Sequence, residues 1–186
     1  MGYGHSALRD KAKKVAKNDP CLKDLIPKMF ATMYGANGVG LAAPQIGKSL
    51  RLFLIDASGF AEKDDLENDT KDALRNFKGV FINPAILEET GEPWRFSEGC
   101  LSIPEINETV LRKPVIRVKY QDENFQWHEK TLKGICARIF QHEYDHLNGV
   151  LFIDKITPLK KQLLKRKLEK IIKGKITPDY PMVFIK

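Results

Sequence analysis

The pentapeptide His142-Glu143-Tyr144-Asp145-His146 constrains this chain more than any other feature of its sequence. On a helix, residues four apart differ by about 40° in direction, so both imidazoles point to the same side and can bind one metal ion. Glu143 then lies roughly 60° from His146, angled toward a metal-bound water. The alternative is two core histidines that fall four residues apart, but buried charges there would need partners.

Two histidines do not complete such a site, because a catalytic tetrahedral ion needs a third protein ligand and one open position. Metallopeptidases with this helix take the third ligand downstream. Phe152 stands six residues after His146, and Glu169 stands in a Lys-rich segment. The better candidate is Cys100, in the stretch Glu98-Gly99-Cys100-Leu101-Ser102, although on its own it could be a small buried hydrophobe.

A third unusual stretch is GVGLAAPQIG at residues 38–47. Its glycines and alanines leave the backbone bare, so another extended chain can approach it closely. Gln45 is then a neutral donor on a rigid loop. The stretch does not match a phosphate-binding loop, because Lys48-Ser49 comes too late.

Composition bounds the class of protein. The chain has 186 residues, 42% apolar and 30% charged, which is typical of one folded domain. No apolar run approaches the roughly 20 residues of a membrane span, and the N-terminal residues do not resemble a secretory signal. The three cysteines have no regular spacing, which favours a reducing cytoplasm over a disulfide framework. The net charge of +7 fits an anionic neighbour without requiring one.

The order of predicted elements indicates an α+β fold. Hydrophobic periodicity predicts helices over 7–17, 24–34, 134–147 and 158–173, the first one ended by Asn18-Asp19-Pro20. Strands are expected at 50–56 and 80–84, followed by a hairpin of 115–120 with 125–132. Residues 57–79 are polar and predict a surface insertion.

Together, GVGLAAPQIG (38–47), EGCLS (98–102) and QHEYDHLNG (141–149) resemble the peptide deformylase family. They occur in that family's order and approximate spacing, and the resemblance extends over about residues 3–156. It implies a single catalytic domain, 1–186, with antiparallel strands around a central metal-binding helix, N-terminal helices and a C-terminal helix. The implied reaction removes the N-terminal formyl group from nascent polypeptides and releases formate.

The resemblance also implies roles for particular residues. Metal ligands would be Cys100, His142 and His146, and Glu143 would be the general acid/base. The Gln45 side-chain amide and the Leu101 backbone N–H would stabilise the oxyanion. The cofactor would be one divalent ion, natively Fe(II), with zinc, nickel or cobalt able to replace it.

Further residues are expected to bind the substrate or support the site. The backbone at Val39 and Gly40 would pair with an extended peptide. The methionine pocket would be formed by Phe96, Ile135, Arg138 and Ile139, with the aliphatic stem of Arg138 facing the substrate. Glu98 would anchor the cysteine loop through Arg112.

Two other functions stay open at this point. A zinc endopeptidase would use His142, His146 and Glu169. A non-catalytic RNA- or ribosome-binding protein would use the basic charge and the Lys-rich helix at 158–173. That helix also suggests that a deformylase could contact the ribosome, whereas no DNA or membrane partner is predicted.

Overall fold

The computed structural model describes residues 1–17, 19–62 and 66–185. In these ranges the chain forms the α-helices α1 (Leu22–Gly35), α2 (Asn68–Arg75), α3 (Gly134–His146) and α4 (Pro158–Ile172). It also forms the strands β1 (Gly40–Ala42), β2 (Leu52–Asp56), β3 (Lys78–Thr90), β4 (Trp94–Cys100), β5 (Ile103–Arg112), β6 (Val115–Gln121) and β7 (Trp127–Lys133). No helix in the described ranges is long and apolar enough to cross a membrane.

The strands form a five-stranded antiparallel sheet, ordered β1-β2-β3-β6-β7, and a separate β4-β5 hairpin. Every residue of β2 is buried. Successive side chains of a strand point to opposite sides, so β2 is covered on both faces. Leu52 and Leu54 pack with α1, whereas Phe53 and Ile55 pack with α3. The sheet is therefore covered by a helix on each face.

Helix α3 lies across the sheet at the centre of the molecule. Its Phe140 ring meets the rings of Phe53 and Phe81 edge-on, with centroids 5.0 and 5.3 Å apart. Such aromatic contacts add to the free energy of burial and hold the helix against the sheet. The predicted α+β fold, with antiparallel strands packed around the motif-bearing helix, is confirmed.

Helix α4 packs on the β4-β5 hairpin through a third apolar cluster. Leu164, Leu168 and Ile171 are buried there, but Leu159 and Leu163 are 68% and 75% exposed. At 100° per residue, the two exposed leucines lie on a different side of the helix from the buried set. The apolar residues of α4 therefore do not all lie on one packed face.

The predicted helix over 7–17 is also wrong. Only Ser6–Leu8 form a short 3₁₀ turn, and Lys13 makes a parallel bridge with Leu50. Further along, the Val15 N–H donates a hydrogen bond to Asn83 Oδ1, and the Val15 carbonyl accepts one from Asn83 Nδ2. These tertiary hydrogen bonds override the helical propensity of the segment. Asn18, part of the predicted helix end, lies outside the described residues.

Two further expectations needed correction, and one element was missed. The segment 57–79 is not wholly a surface insertion, because it contains α2 and buries Leu74 and Phe77; its residues 63–65 lie outside the described ranges. Strand β3 continues past Pro84, because a register shift there removes the need for a ladder hydrogen bond. The β4-β5 hairpin was not predicted at all.

Candidate metal centre

Helix α3 brings the two motif histidines together. His142 and His146 lie one turn apart near its C-terminal end, with ring centroids separated by 5.1 Å. His146 is fully buried and His142 is largely so. The helical spacing that the sequence predicted therefore places both rings on one side of the helix.

Cys100 joins them from the end of β4. The β4-β5 register shifts between Gly99 and Cys100, where the hairpin turns, and the thiol sulfur lies 3.3 Å from His146 Nε2. One donor atom from each of the three residues lies within 4.8 Å of the other two. Donors around a tetrahedral ion with ordinary bond lengths stand about 3.5 Å apart, so this group fits a divalent metal.

Glu169 does not belong to this group. It lies on α4, the helix that packs on the β4-β5 hairpin. In the described part of the chain, the cluster of donor atoms that could hold a metal ion is therefore the thiol with two imidazoles.

A buried carboxylate orients one of the imidazoles. Glu98 Oε2 lies 3.0 Å from His142 Nδ1, which leaves His142 Nε2 as the ring nitrogen that can bind a metal ion. The same carboxylate accepts two hydrogen bonds from Arg112, at 2.7 and 2.9 Å, and one from Arg138 at 2.8 Å. Burial alone would raise the pKa of Glu98, but the hydrogen bonds from Arg112 and His142 hold it well below its usual range.

This network reaches a second acid on the motif helix. Arg112 also donates to Asp145 at 2.6 Å, so one guanidinium joins β5 to both β4 and α3. Glu98, Arg112 and Arg138 are all buried. The sequence indicated the Glu98–Arg112 pair through the family resemblance, but it missed Asp145 and the Arg138 hydrogen bonds.

Glu143 lies beside the three candidate ligands and is almost fully buried. It is 4% exposed, and no group in the described residues hydrogen-bonds its Oε2. Burial raises the pKa of Glu143 to about 7. A Cβ at Gly40 would approach Glu143 Oε1 to 2.4 Å, so only glycine leaves the carboxylate its space.

Gln45 is held on a 3₁₀ turn, Ala43–Ile46, with its amide oriented by the backbone. Its Oε1 accepts from the Ala42 N–H at 2.8 Å, so its Nε2 faces Ser102 Oγ at 3.3 Å and Cys100 Sγ at 3.6 Å. Leu101 follows Cys100 in the hairpin turn, beside Gly38. Gln45 and Leu101 therefore both lie beside Cys100, one of the three candidate ligands.

A cleft of about 630 Å³ opens onto these residues. All six residues expected to bind substrate line it: Val39, Gly40, Phe96, Ile135, Arg138 and Ile139. The two terminal nitrogens of Arg138 donate hydrogen bonds to Glu98 and to the carbonyls of Val110 and Trp94. The aliphatic stem is therefore the part of this side chain that is left to face the cleft. The sequence analysis missed the wall formed by Thr177–Tyr180, for which no local motif gives a signal.

Comparison with known proteins places this site in a family. The Polypeptide deformylase family model matches residues 1–162. The chain belongs to the peptide deformylase family. A peptide deformylase of Christiangramia forsetii is 52% identical to this chain, and the match covers 99% of this chain and 94% of that protein. A peptide deformylase of Flavobacterium psychrophilum is 49% identical, and the match covers 100% of this chain and 95% of that protein.

Solved structures agree with this membership. The crystal structure of a peptide deformylase from Legionella pneumophila matches with a TM-score of 0.78 and 42% identity. It covers 94% of this chain and 95% of its own. The resemblance drawn from the three sequence blocks is confirmed, and the family's fold accounts for the sheet, the hairpin and the central helix.

Proposed function

We propose that this chain removes the N-terminal formyl group from formyl-methionyl nascent polypeptides and releases formate. The observation that carries the proposal is the convergence of Cys100, His142 and His146 beside the buried Glu143, in a cleft of a peptide deformylase family member. Neither alternative accounts for this arrangement. A peptidase using Glu169 leaves Cys100 without a role, and a non-catalytic binding protein leaves the whole cluster unexplained.

The ligands would be the Cys100 thiolate and the imidazoles of His142 and His146. A divalent ion held there would supply a Lewis acid and a nucleophilic water near neutral pH. We propose Fe(II) as the native ion, with zinc, nickel or cobalt able to replace it, because one thiolate and two imidazoles suit all four. Glu98 and Arg112 would keep His142 correctly turned through the Nδ1 hydrogen bond.

Glu143 would be the proton carrier. Its Oε2 has no protein partner in the described residues, so it is free to accept a proton from the attacking water and return it to the leaving amine. A pKa raised toward neutrality by burial suits both transfers, because the group then gains and loses a proton with little cost.

Two donors would meet the charge that develops on the formyl oxygen. The Gln45 Nε2 is held on the cleft side by the Ala42 hydrogen bond, and the Leu101 N–H follows the cysteine in the turn. Preorganised donors of this kind each stabilise a transition state by about 3 kcal/mol. Gln45 is suited to this role because its neutral amide binds water less tightly than a charged donor does.

The substrate would bind as an added strand. β1 is an edge strand of the five-stranded sheet, and both its first residue, Gly40, and the preceding Val39 line the cleft. An extended peptide can pair with such an edge through backbone hydrogen bonds. The methionine side chain would then enter the apolar part of the cleft, between Phe96, Ile135, Ile139 and the stem of Arg138.

The test is release of formate from formyl-Met-Ala-Ser by protein loaded with Fe(II) or Ni(II). We expect turnover by the parent chain and by Glu169→Gln, but a loss of at least about 10² with metal retained in Glu143→Gln. Cleavage of internal peptide bonds instead of formate release, or dependence of metal content on Glu169, would favour the peptidase. An absence of turnover with every metal would overturn the proposal.

We further propose that the chain works in the cytoplasm and that α4 contacts the ribosome. Lys165, Arg166 and Lys167 are exposed, whereas Lys160 and Lys161 are paired with Glu108 and Asp154. Phosphate contacts through the exposed cations would make binding steeply salt-dependent.

Reversing Lys165, Arg166 and Lys167 to Glu should reduce co-sedimentation with ribosomes at low salt and leave hydrolysis of short peptides intact. Reversal of the exposed Lys14, Lys23 and Lys28 is the matched control for charge. Equal co-sedimentation of the two triple variants would assign α4 a structural role only.

A further inference from the structure

The chain after α4 turns back along the cleft as a strap, residues 175–185. Ile176 and Phe184 pack into the apolar cluster that joins α4 to β5, and the Val183 carbonyl accepts a hydrogen bond from the Gly2 N–H at 2.8 Å. Between these anchors, Thr177–Tyr180 form one wall of the cleft. The strap lies beyond the residues that the family model matches.

Tyr180 connects the strap to the hairpin turn that follows Cys100. Its hydroxyl donates a hydrogen bond of 2.8 Å to the carbonyl oxygen of Leu101. Tyr180 is half-buried, and a phenol keeps its proton well above neutral pH, so the hydroxyl is a dependable donor.

The Leu101 carbonyl and the Ser102 N–H belong to the same peptide unit, which is planar and moves as one body. At its other end, this unit donates the Ser102 N–H to Cys100 Sγ at 3.4 Å. Sulfur is a weak acceptor, so the oxygen acceptor makes the stronger of the two bonds. The Tyr180 hydroxyl therefore controls how the peptide unit presents its N–H to the thiol.

The neighbouring carbonyl of the turn is held separately. Ser102 O accepts from the Tyr3 N–H at 2.8 Å, which fixes the next peptide unit from a different part of the chain. Loss of the Tyr180 hydroxyl would thus free the Leu101–Ser102 unit, and with it the preceding unit that shares the Leu101 Cα and carries the Leu101 N–H, whereas the Ser102 carbonyl stays held. The expected damage is local to the sulfur and to the turn that carries the Leu101 N–H.

We infer that Tyr180 is a positioning residue for deformylation: its hydroxyl fixes the Leu101–Ser102 peptide, and through it the hydrogen bond on the Cys100 sulfur and the placement of the Leu101 N–H. The inference rests on the proposed function for the roles of Cys100 and Leu101. A hydrogen bond to a ligating sulfur changes the electron density that it gives to a metal, as the potentials of thiolate-ligated clusters show.

The test compares Tyr180→Phe with Tyr34→Phe. The control also removes a tyrosine hydroxyl, which donates to Asp56 at 2.6 Å and accepts from Lys78 at 3.0 Å, and Tyr34 is not among the residues that line the cleft. For each protein, kcat and KM are measured on formyl-Met-Ala-Ser, together with the thiolate-to-cobalt absorption band of the Co(II)-loaded form and the thermal midpoint.

For Tyr180→Phe we expect kcat to fall about five- to tenfold with KM within about twofold, and the cobalt band to shift; neither should change in Tyr34→Phe. A raised KM with unchanged kcat would make Tyr180 only a wall of the cleft and overturn the inference. An unshifted band would also overturn it, whatever happens to kcat. If the parent chain releases no formate, the proposed function fails, whereas the band still reports on Tyr180 and the sulfur.

Discussion

Replacing Gly40 with alanine should displace Glu143 without unfolding the chain. A Cβ at this position would lie 2.4 Å from Glu143 Oε1, 2.7 Å from its Cδ and 2.8 Å from its Cγ. Ordinary contacts need about 3.4 Å or more, so one partner must move by about 1 Å. Gly40 cannot move easily, because β1 pairs with β2 there, opposite Ile55. The glutamate side chain therefore gives way.

A displacement of about 1 Å at a catalytic group costs on the order of 10² in rate. We expect kcat/KM for formyl-Met-Ala-Ser to fall by about 100-fold in Gly40→Ala. The free energy of unfolding should fall by about 1–3 kcal/mol, because the added methyl group overpacks a buried side chain but does not meet backbone, and the chain stays folded. Formate release and urea unfolding measure the two quantities, and metal analysis should find the content unchanged.

Gly35→Ala is the matched control, because a Cβ at the end of α1 would meet nothing within 4 Å. It should keep the parent rate. If Gly40→Ala retains kcat/KM within about threefold while folding normally, the space at Gly40 does not set the position of the proton carrier. A loss of metal in Gly40→Ala would also refute the reasoning, since it would locate the damage at the ligands.

Three other outcomes are expected. Cys100→Ser should lower metal content after dialysis, because the thiolate is the charged ligand; unchanged content would remove it from the ligand set. Glu98→Gln should weaken metal affinity or activity about 10–100-fold, and a chelator competition that finds no change would refute its support of His142. Burial alone would raise the pKa of Asp154, but the hydrogen bond from Arg9 lowers it from 3.8 to about 2. The ionised group therefore adds stability above about pH 4 that is lost as the pH falls from about 4 to 2. Asp154→Asn should lower the free energy of unfolding at pH 7 by about 1–2 kcal/mol and flatten its change between pH 4 and pH 2; an equally steep urea-unfolding profile there would contradict this.

The parts of the molecule that the sequence predicts well are those that local geometry determines. The i, i+4 spacing of His142 and His146 requires only a helix to bring the rings together, and α3 supplies it. Helices α1 and α4 likewise follow from their periodicity. Cys100 could not be assigned by spacing, because its proximity to the histidines depends on how the β4-β5 hairpin packs on α3. The family resemblance supplied that long-range information.

Two features that the sequence did not predict, the course of residues 7–17 and that of the strap, share one physical cause, which is hydrogen bonding to distant groups. The segment 7–17 has helical composition, yet Lys13 bonds to the loop before β2 and Val15 to the Asn83 amide. The strap 175–185 has no periodicity at all, and its course is determined by the Val183–Gly2 and Tyr180–Leu101 bonds. Sequence patterns carry no record of such partners, which lie tens of residues or more away.

The buried charges around Glu98 explain how two independent elements hold one metal group. Removing a carboxylate and two guanidinium groups from water is costly, and such networks often stabilise a fold no better than apolar side chains do. Here the network performs a different task. Arg112 and Arg138 bind the same carboxylate from β5 and α3, and that carboxylate then meets His142. The position of the cysteine-bearing strand is thereby transmitted to the histidine-bearing helix through hydrogen bonds of defined length. An apolar core could join the two elements but could not set the orientation of the imidazole.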